Sequence, residues 1–470
     1  MASSPAAIET EKASSSSPDI CNTLPPEILA LIFEFACYRP YDERCHIARR
    51  AESLWGPNEE GIWEAFVTPL FIGAVCSSWR NITLSTPRLW TQIDVQIGNE
   101  HAEAQAEMLR YYLSNSGEHL LTVRLLHNAE TNSTEDKLLL PSTAIEALEP
   151  HSHRLHTLDT IVPMEWEDAL KRIANRLSML TRLKLRQHNT PSTYKIDFFV
   201  NAPRLRDVTL FKIQINSVKL PFAQLERFDF DPSFQLDSFE PLHRCPRLRH
   251  CALLTVFLPS QMKHLALETL EIYGDHLKAL LQSLELPALR SLLIFLDPFL
   301  EEMEQPILRN FFKCSPCALE SLTLIYATPD ETEFVALLRE LPTLRMLEIY
   351  NNFYFSRTGT LTPTSLRLMT PRKSLALVSS DLNLEGKEQN LCEPCLVSNL
   401  ELFYYGGHLE ITPRAIVEFL EGRWYRGQTM PKLRSVWFAT RPPVEFDEID
   451  TVIVDQLQEE GMHLKFLPVD

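Results

Sequence analysis

The chain has 470 residues, 45% apolar and 23% charged, with a formal net charge of −17 at pH 7. This is the composition of an ordinary globular protein with a core of good size, and its acidic balance excludes non-specific binding to nucleic acid or anionic lipid, which needs a basic surface. Ten scattered cysteines form no disulfide framework and point to a reducing compartment, cytosol or nucleus.

Residues 1–20 are rich in Ser, Ala and Pro with little to bury, and read as a disordered tail. The apolar stretches that follow are broken by Glu27, Glu34 or proline well short of a membrane span, so neither secretion nor membrane insertion is expected. From Leu24-Pro25-Pro26-Glu27 a helix begins, its prolines placed where a missing N–H costs nothing. Ile28, Leu29, Ile32, Phe33 and Ala36 follow at helical spacing. A second helix carries Ile72, Val75, Cys76, Trp79 and Ile82 on one face, and Ser85-Thr86-Pro87 turns the chain into Leu89-Trp90. A unit this small, roughly 40 residues once the irregular segment from Cys37 to Pro69 is discounted, usually needs outside help to be stable.

The Leu-Pro-x-Glu opening, the Ile32-Phe33 pair, Val75-Cys76-x-x-Trp79-Arg80 and the closing Leu89-Trp90 resemble the F-box family, in particular its fungal F-box-like members. The resemblance covers less than a fifth of the chain. It implies a small helical module over 21–95, with an insertion near 37–69 where many F-boxes have a shorter connection. It also implies a partner, the Skp-type adaptor of a cullin-based ubiquitin ligase. Leu24, Pro25, Ile28, Leu29, Ile32, Val75, Trp79 and Trp90 are the residues it points to for that contact, some of them shared with the module's own core.

After Trp90 the string 91–97 alternates apolar and polar as a strand with one buried face. A helix over 101–114 with Met108, Leu109, Tyr112 and Leu113 on one stripe ends at Ser116-Gly117, and a second strand starts at Leu121. Between 155 and 438 one pattern returns: leucine, two residues, an apolar residue, one residue, another apolar residue. It starts at Leu180, Leu205, Leu225, Leu248, Leu267, Leu289, Leu319, Leu344, Val397 and Leu433, with steps up to Leu344 that fall mostly in the range of leucine-rich repeats. Helical stripes fill several intervals, among them Trp166, Leu170, Ile173 and Leu177, then Leu277, Leu280, Leu281 and Leu284, then Phe334, Leu337, Leu338 and Leu341. Thr412-Pro413 opens another, with Thr412 as N-cap. The expected fold is therefore an α/β repeat: the helical module, then an irregular leucine-rich-repeat solenoid over 96–470. Phe353 to Gln389 is its least regular stretch.

Strand alternation turns a row of residues away from the core, onto the face that would be concave: Phe211, Asp229, Glu271, Tyr273, Phe295, Glu348, Tyr350 and Trp437, with Glu401 and Phe403 in the same row. Aromatic residues beside carboxylates suit a protein-binding surface. Two Cys-x-x-Cys pairs, Cys314/Cys317 and Cys392/Cys395, have the spacing of half a zinc site each. They sit with Cys245 just ahead of their leucine blocks, which favours small buried residues beside helix-stopping prolines, and His151, His153 and His156 read as a solvated loop. No phosphate-binding loop or catalytic motif occurs, so no cofactor, metal or enzymatic activity is expected. The function read from the sequence is that of a substrate-recognition subunit of an SCF-type ubiquitin ligase, holding an unidentified protein target; the alternative is a repeat scaffold that keeps the module only as a folding cap.

Overall fold

A computed structural model describes residues 24–38, 67–98, 101–127, 141–187, 195–231, 240–254, 261–274, 277–296, 306–327, 329–351, 360–371, 395–409, 411–425 and 431–468. The expected tail, most of the insertion and much of the irregular stretch after Tyr350 lie outside these residues.

Helix α1 (Pro26–Cys37) starts on the Pro25 carbonyl, which accepts from the amides of Ile28 and Leu29 at 3.0 and 3.1 Å. Helix α2 (Pro69–Val75) is capped by Thr68, whose hydroxyl accepts from the Phe71 amide, and α3 (Ser77–Ser85) begins at Cys76, whose sulfur accepts from the Trp79 amide. A short 3-10 turn, Pro87–Trp90, leads into the first strand.

Fourteen strands form one sheet in which every neighbour pair is parallel and the strands stand in chain order. They are β1 (Gln92–Ile97), β2 (Leu121–His127), β3 (Leu155–Val162), β4 (Arg182–Gln187), β5 (Asp207–Phe211), β6 (Arg227–Asp231) and β7 (His250–Leu254), followed by β9 (Thr269–Tyr273) and β11 (Ser291–Phe295). The last five are β12 (Ser321–Ile325), β13 (Met346–Tyr350), β14 (Leu402–His408), β15 (Ser435–Arg441) and β16 (His463–Pro468). Two short strands between them, β8 (Met262–Lys263) and β10 (Leu284–Glu285), pair only with each other.

Parallel strands need crossovers, and helices supply many of them. Among these are α4 (Ala102–Asn115), α5 (Thr143–Ala147), α6 (Glu167–Ala174), α7 (Leu277–Gln282), α8 (Ile307–Cys314), α9 (Glu331–Glu340), α10 (Pro363–Met369), α11 (Pro413–Tyr425) and α12 (Glu448–Glu459). The stripes expected from spacing are all buried: Trp166, Leu170 and Ile173, Leu277, Leu280 and Leu281, and Phe334, Leu337 and Leu338 join the inward strand residues Val208, Leu210, Leu292, Ile294, Leu347 and Ile349 in one core. Leu29, Phe33, Ile72, Ile82, Leu89 and Trp90 belong to the same cluster, so the helical module and the sheet share a continuous core.

One block differs from the sequence expectation. Val397 and Leu400 fit the repeat pattern, but so do Leu400, Phe403 and Tyr405, and the strand adopts the second register: Phe403 pairs with Leu347 and is fully buried. Phe403 is therefore core, and Glu401 lies at the sheet's edge, where its amide donates to the Arg345 carbonyl. The outward residues of β14 are Leu402, Tyr404 and Gly406. Among the described residues no helix is long and apolar enough to cross a membrane.

Candidate functional site

Helix α1 has only Glu27 and Glu34 among charged side chains, so apolar groups occupy both of its faces. One face is inward: Leu29 and Phe33 are buried, and the Phe33 ring stands 4.8 Å from Trp79. The other face is open. Ile28, Leu31, Ile32 and Phe35, at i, i+3, i+4 and i+7, are 43, 60, 48 and 84% exposed. Leu70, Phe71 and Val75 of α2 are exposed as well.

Of the predicted adaptor residues, Pro25, Ile28, Ile32 and Val75 are thus exposed, while Leu24 and Trp79 are part-buried. Leu29 and Trp90 are corrected to core positions, since neither has surface to offer. Trp90 donates from Nε1 to the Thr83 carbonyl at 2.8 Å, and its ring meets Tyr111 and Tyr112 of α4 edge-on. It joins the module to the first strand–helix unit. Leu31 and Phe35 were missed because the spacing rule selects one apolar stripe and α1 has two; Leu70 and Phe71 of α2 were missed because they lie off the stripe through Ile72, Val75 and Trp79.

The sheet face away from the core is built from register. Its middle row reads Asp94, Arg124, Asp159, Lys184, Thr209, Asp229, Ala252, Glu271, Leu293, Thr323, Glu348, Tyr404, Trp437 and Lys465, each the partner of the next. Towards the strand starts, from β9 to β14, lie Thr269, Ser291, Ser321, Met346 and Leu402; towards the strand ends lie Tyr273, Phe295, Ile325, Tyr350 and Gly406.

In the first half of this face charges meet charges. Arg124 reaches Asp94 at 3.3 Å and Asp159 at 3.5 Å, and Arg186 holds both oxygens of Asp159. Asp207, 3.7 Å from Arg182, is pushed up to about 6 by burial and by the neighbouring Asp229, against the pull of Arg227 and Arg182. His250 bridges Asp229 and Glu271, with Nε2 at 3.4 and 3.7 Å.

The second half is apolar and aromatic, and its carboxylates have no lysine or arginine at the outward positions beside them. Tyr273 donates to Glu271 at 2.7 Å, and its ring lies 6.1 Å from Phe295. Glu348 accepts from the Thr323 hydroxyl at 3.1 Å, and burial raises its pKa. The Tyr404 ring packs tilted against Trp437, centroids 5.1 Å apart, with the Lys465 ammonium 4.6 Å from the indole centre. The register brings the predicted target-face residues onto one surface, but not all are accessible. Asp229 and Tyr273 are 3 and 1% exposed and are corrected to supporting positions; Phe211, Glu271, Phe295, Glu348 and Tyr350 are part-buried and Trp437 is exposed. Tyr404 was missed with the slipped block, and Lys465 because its block, with Leu464 and Phe466, opens on Gly461 where the repeat pattern asks for leucine.

Cys245 is buried as expected beside its proline, with its thiol pushed up to about 12 by burial, whereas Cys314 is exposed and Cys317 part-buried. Among the described residues no group of three or more His, Cys, Asp or Glu side chains could hold a metal ion; Cys392 lies outside them. His156 Nε2 shares a hydrogen bond with the Thr181 hydroxyl at 3.0 Å, and His151 Nδ1 accepts from the Arg154 guanidinium at 3.0 Å, so both are tied into the fold.

No family model matches the chain, and no curated protein does. Among solved structures, a Bacteroides fragilis protein determined as a structural-genomics target is 12% identical to it, with a TM-score of 0.27 over 65% of this chain and 73% of that one.

Proposed function

We propose that this chain is a substrate-recognition subunit of an SCF-type ubiquitin ligase, working in the cytosol or nucleus. Its F-box-like helices dock on a Skp-type adaptor, and a leucine-rich-repeat solenoid holds a protein target on its concave sheet face. The observation that carries the reading is the open apolar stripe Ile28, Leu31, Ile32 and Phe35 on a helix whose opposite face is already buried. Exposed apolar groups at contiguous helical positions mark an interaction surface rather than scattered surface hydrophobics. The chain positions its target, and ubiquitin transfer belongs to other subunits.

The test is a binding titration of the full chain against the Skp-type adaptor, with an Ile32→Asp, Phe35→Asp double variant whose folding is checked by circular dichroism. Both positions are exposed, so the variant is expected to stay folded and lose binding by at least about a hundredfold. No saturable binding by folded wild type would sink the reading. It would leave the scaffold alternative, which one observation favours: Leu89 and Trp90 seal the module onto the sheet's core, as a folding cap would.

A further inference from the structure

The charge on the sheet face changes character along its length. Up to β7 the outward carboxylates find Arg, Lys or His on the same face, as Asp159 finds Arg124 and Arg186. From β9 to β14 no outward position carries a lysine or arginine, yet Glu271 and Glu348 remain. Three strand spacings separate them, roughly 14 Å at about 4.8 Å each. Leu293 and Thr323 lie between, with Phe295 beside Leu293. Resting on the target-binding reading above, we propose that this part of the face takes an extended basic segment of a protein, with two cationic side chains four residues apart and an apolar residue midway.

The spacing follows from backbone geometry. An extended chain advances about 3.4 Å per residue, so positions i and i+4 lie roughly 14 Å apart, and i, i+2 and i+4 point to the same side. The cations then meet Glu271 and Glu348 while the central side chain covers Leu293 and Phe295. Charge complementarity selects the sign: a chain of net charge −17 presents a window whose two carboxylates face, among the described residues, no lysine or arginine, and only His250 reaches Glu271, at 3.7 Å from the β7 side. The neighbouring Lys465, seated over Trp437, shows an ammonium held on this face from within the chain. Glu348 is stabilised by one hydroxyl in a site that disfavours its charge, an arrangement that a docking cation would correct.

The test uses the full chain and fluorescein-labelled ten-residue peptides, serine at most positions, lysine at the third and seventh, leucine at the fifth. Fluorescence anisotropy is expected to give saturable binding at least about tenfold tighter than for the peptide with glutamate at both lysine positions, and weaker binding as salt rises. A peptide with lysines two apart is expected to bind less well. Glu348→Gln is expected to weaken the lysine peptide at least about fivefold while unfolding at the same or a higher urea concentration. Absence of saturable binding by the lysine peptide, equal binding of the glutamate peptide, or an unchanged Glu348→Gln affinity would each overturn the proposal. The Ile32→Asp, Phe35→Asp variant keeps this face intact, so peptide binding by it, with or without adaptor binding by wild type, separates the failure of one reading from that of the other.

Discussion

Arg345 and Glu401 are 56 positions apart in the chain, yet Arg345 donates to one oxygen of Glu401 from Nε at 2.9 Å and from Nη2 at 2.5 Å. Arg434 approaches the other oxygen at 3.5 Å. The three belong to a column at the sheet's edge, Arg206, Glu226, Arg249, Glu268, Arg290, Glu320, Arg345, Glu401 and Arg434, in which each backbone amide donates to the preceding member's carbonyl. The sign alternates without exception. Pairing a strand with the next but one would therefore bring like charges together, and the column favours chain order over skipped pairings.

Glu401 is the member whose loss matters most, because its side chain is only 12% exposed and serves two arginines. Glu401→Gln is expected to lower stability by about 1 to 2 kcal/mol in urea unfolding, a charge-assisted interaction lost from a part-buried site. Glu320→Gln, at a more exposed rung facing Arg290, is expected to cost under about 1 kcal/mol. Raising the salt to about 1 M should shrink the second effect more than the first. Equal costs at the two rungs would show that burial does not grade the column.

Two tryptophans of the helical module differ in how their indole N–H is met. Trp90 donates to the Thr83 carbonyl, while the buried Nε1 of Trp79 has no acceptor among the described residues. Trp79→Phe removes an unsatisfied donor and is expected to change stability by less than about 1 kcal/mol, whereas Trp90→Phe should cost about 1 to 2 kcal/mol more than that. Trp79→Ala, which empties the space beside Phe33, is expected to cost about 3 to 5 kcal/mol. Chemical denaturation of the three variants checks the order.

Asp207 makes stability depend on pH in a definite direction. Its carboxyl titrates at about 6 in the fold against 3.8 unperturbed, so folding takes up a proton between those values. Stability that this group contributes below 3.8 is lost as pH rises through about 6. Asp207→Asn cannot lose it. The variant's stability relative to wild type is expected to rise from pH 4 to pH 7, by up to about 3 kcal/mol for a side chain 20% exposed. A relative stability that stays level or falls over that range would assign Asp207 to its arginine neighbours instead.

What could be read in advance follows from which forces are local. Leucine spacing reports a buried row, so Leu205, Val208 and Leu210 or Leu344, Leu347 and Ile349 were legible as strands. Their place in one parallel sheet followed from the repeat. Register was legible only where a single alignment satisfied the pattern; at Val397 and Leu400 two did, and the choice depended on packing of Phe403 between Phe419 and Phe438. The alternating column was present in the sequence, as the residue after each block's first leucine, but becomes meaningful only once those residues are neighbours. Exposure was the least legible property. Leu29 and Ile32 look alike in α1, and which faces inward is decided by Ile72 and Trp79 from elsewhere in the chain.

Gly406 offers a final check on the register of β14. It pairs with Tyr350 of β13, and the Tyr350 ring lies across it: a Cβ on residue 406 would stand 2.8 Å from Cδ1 of that ring. Real side chains do not approach so closely, so Gly406→Ala must displace the ring, at an expected cost of about 1 to 3 kcal/mol. Alanine otherwise suits a strand better than glycine by roughly 0.5 to 1 kcal/mol. In a Tyr350→Ala background the same change is therefore expected to become neutral or stabilising, a coupling of at least about 1 kcal/mol between the two sites in a double-mutant cycle. Had β14 kept the register that Val397 suggests, Gly406 and Tyr350 would not be partners and the two substitutions would simply add.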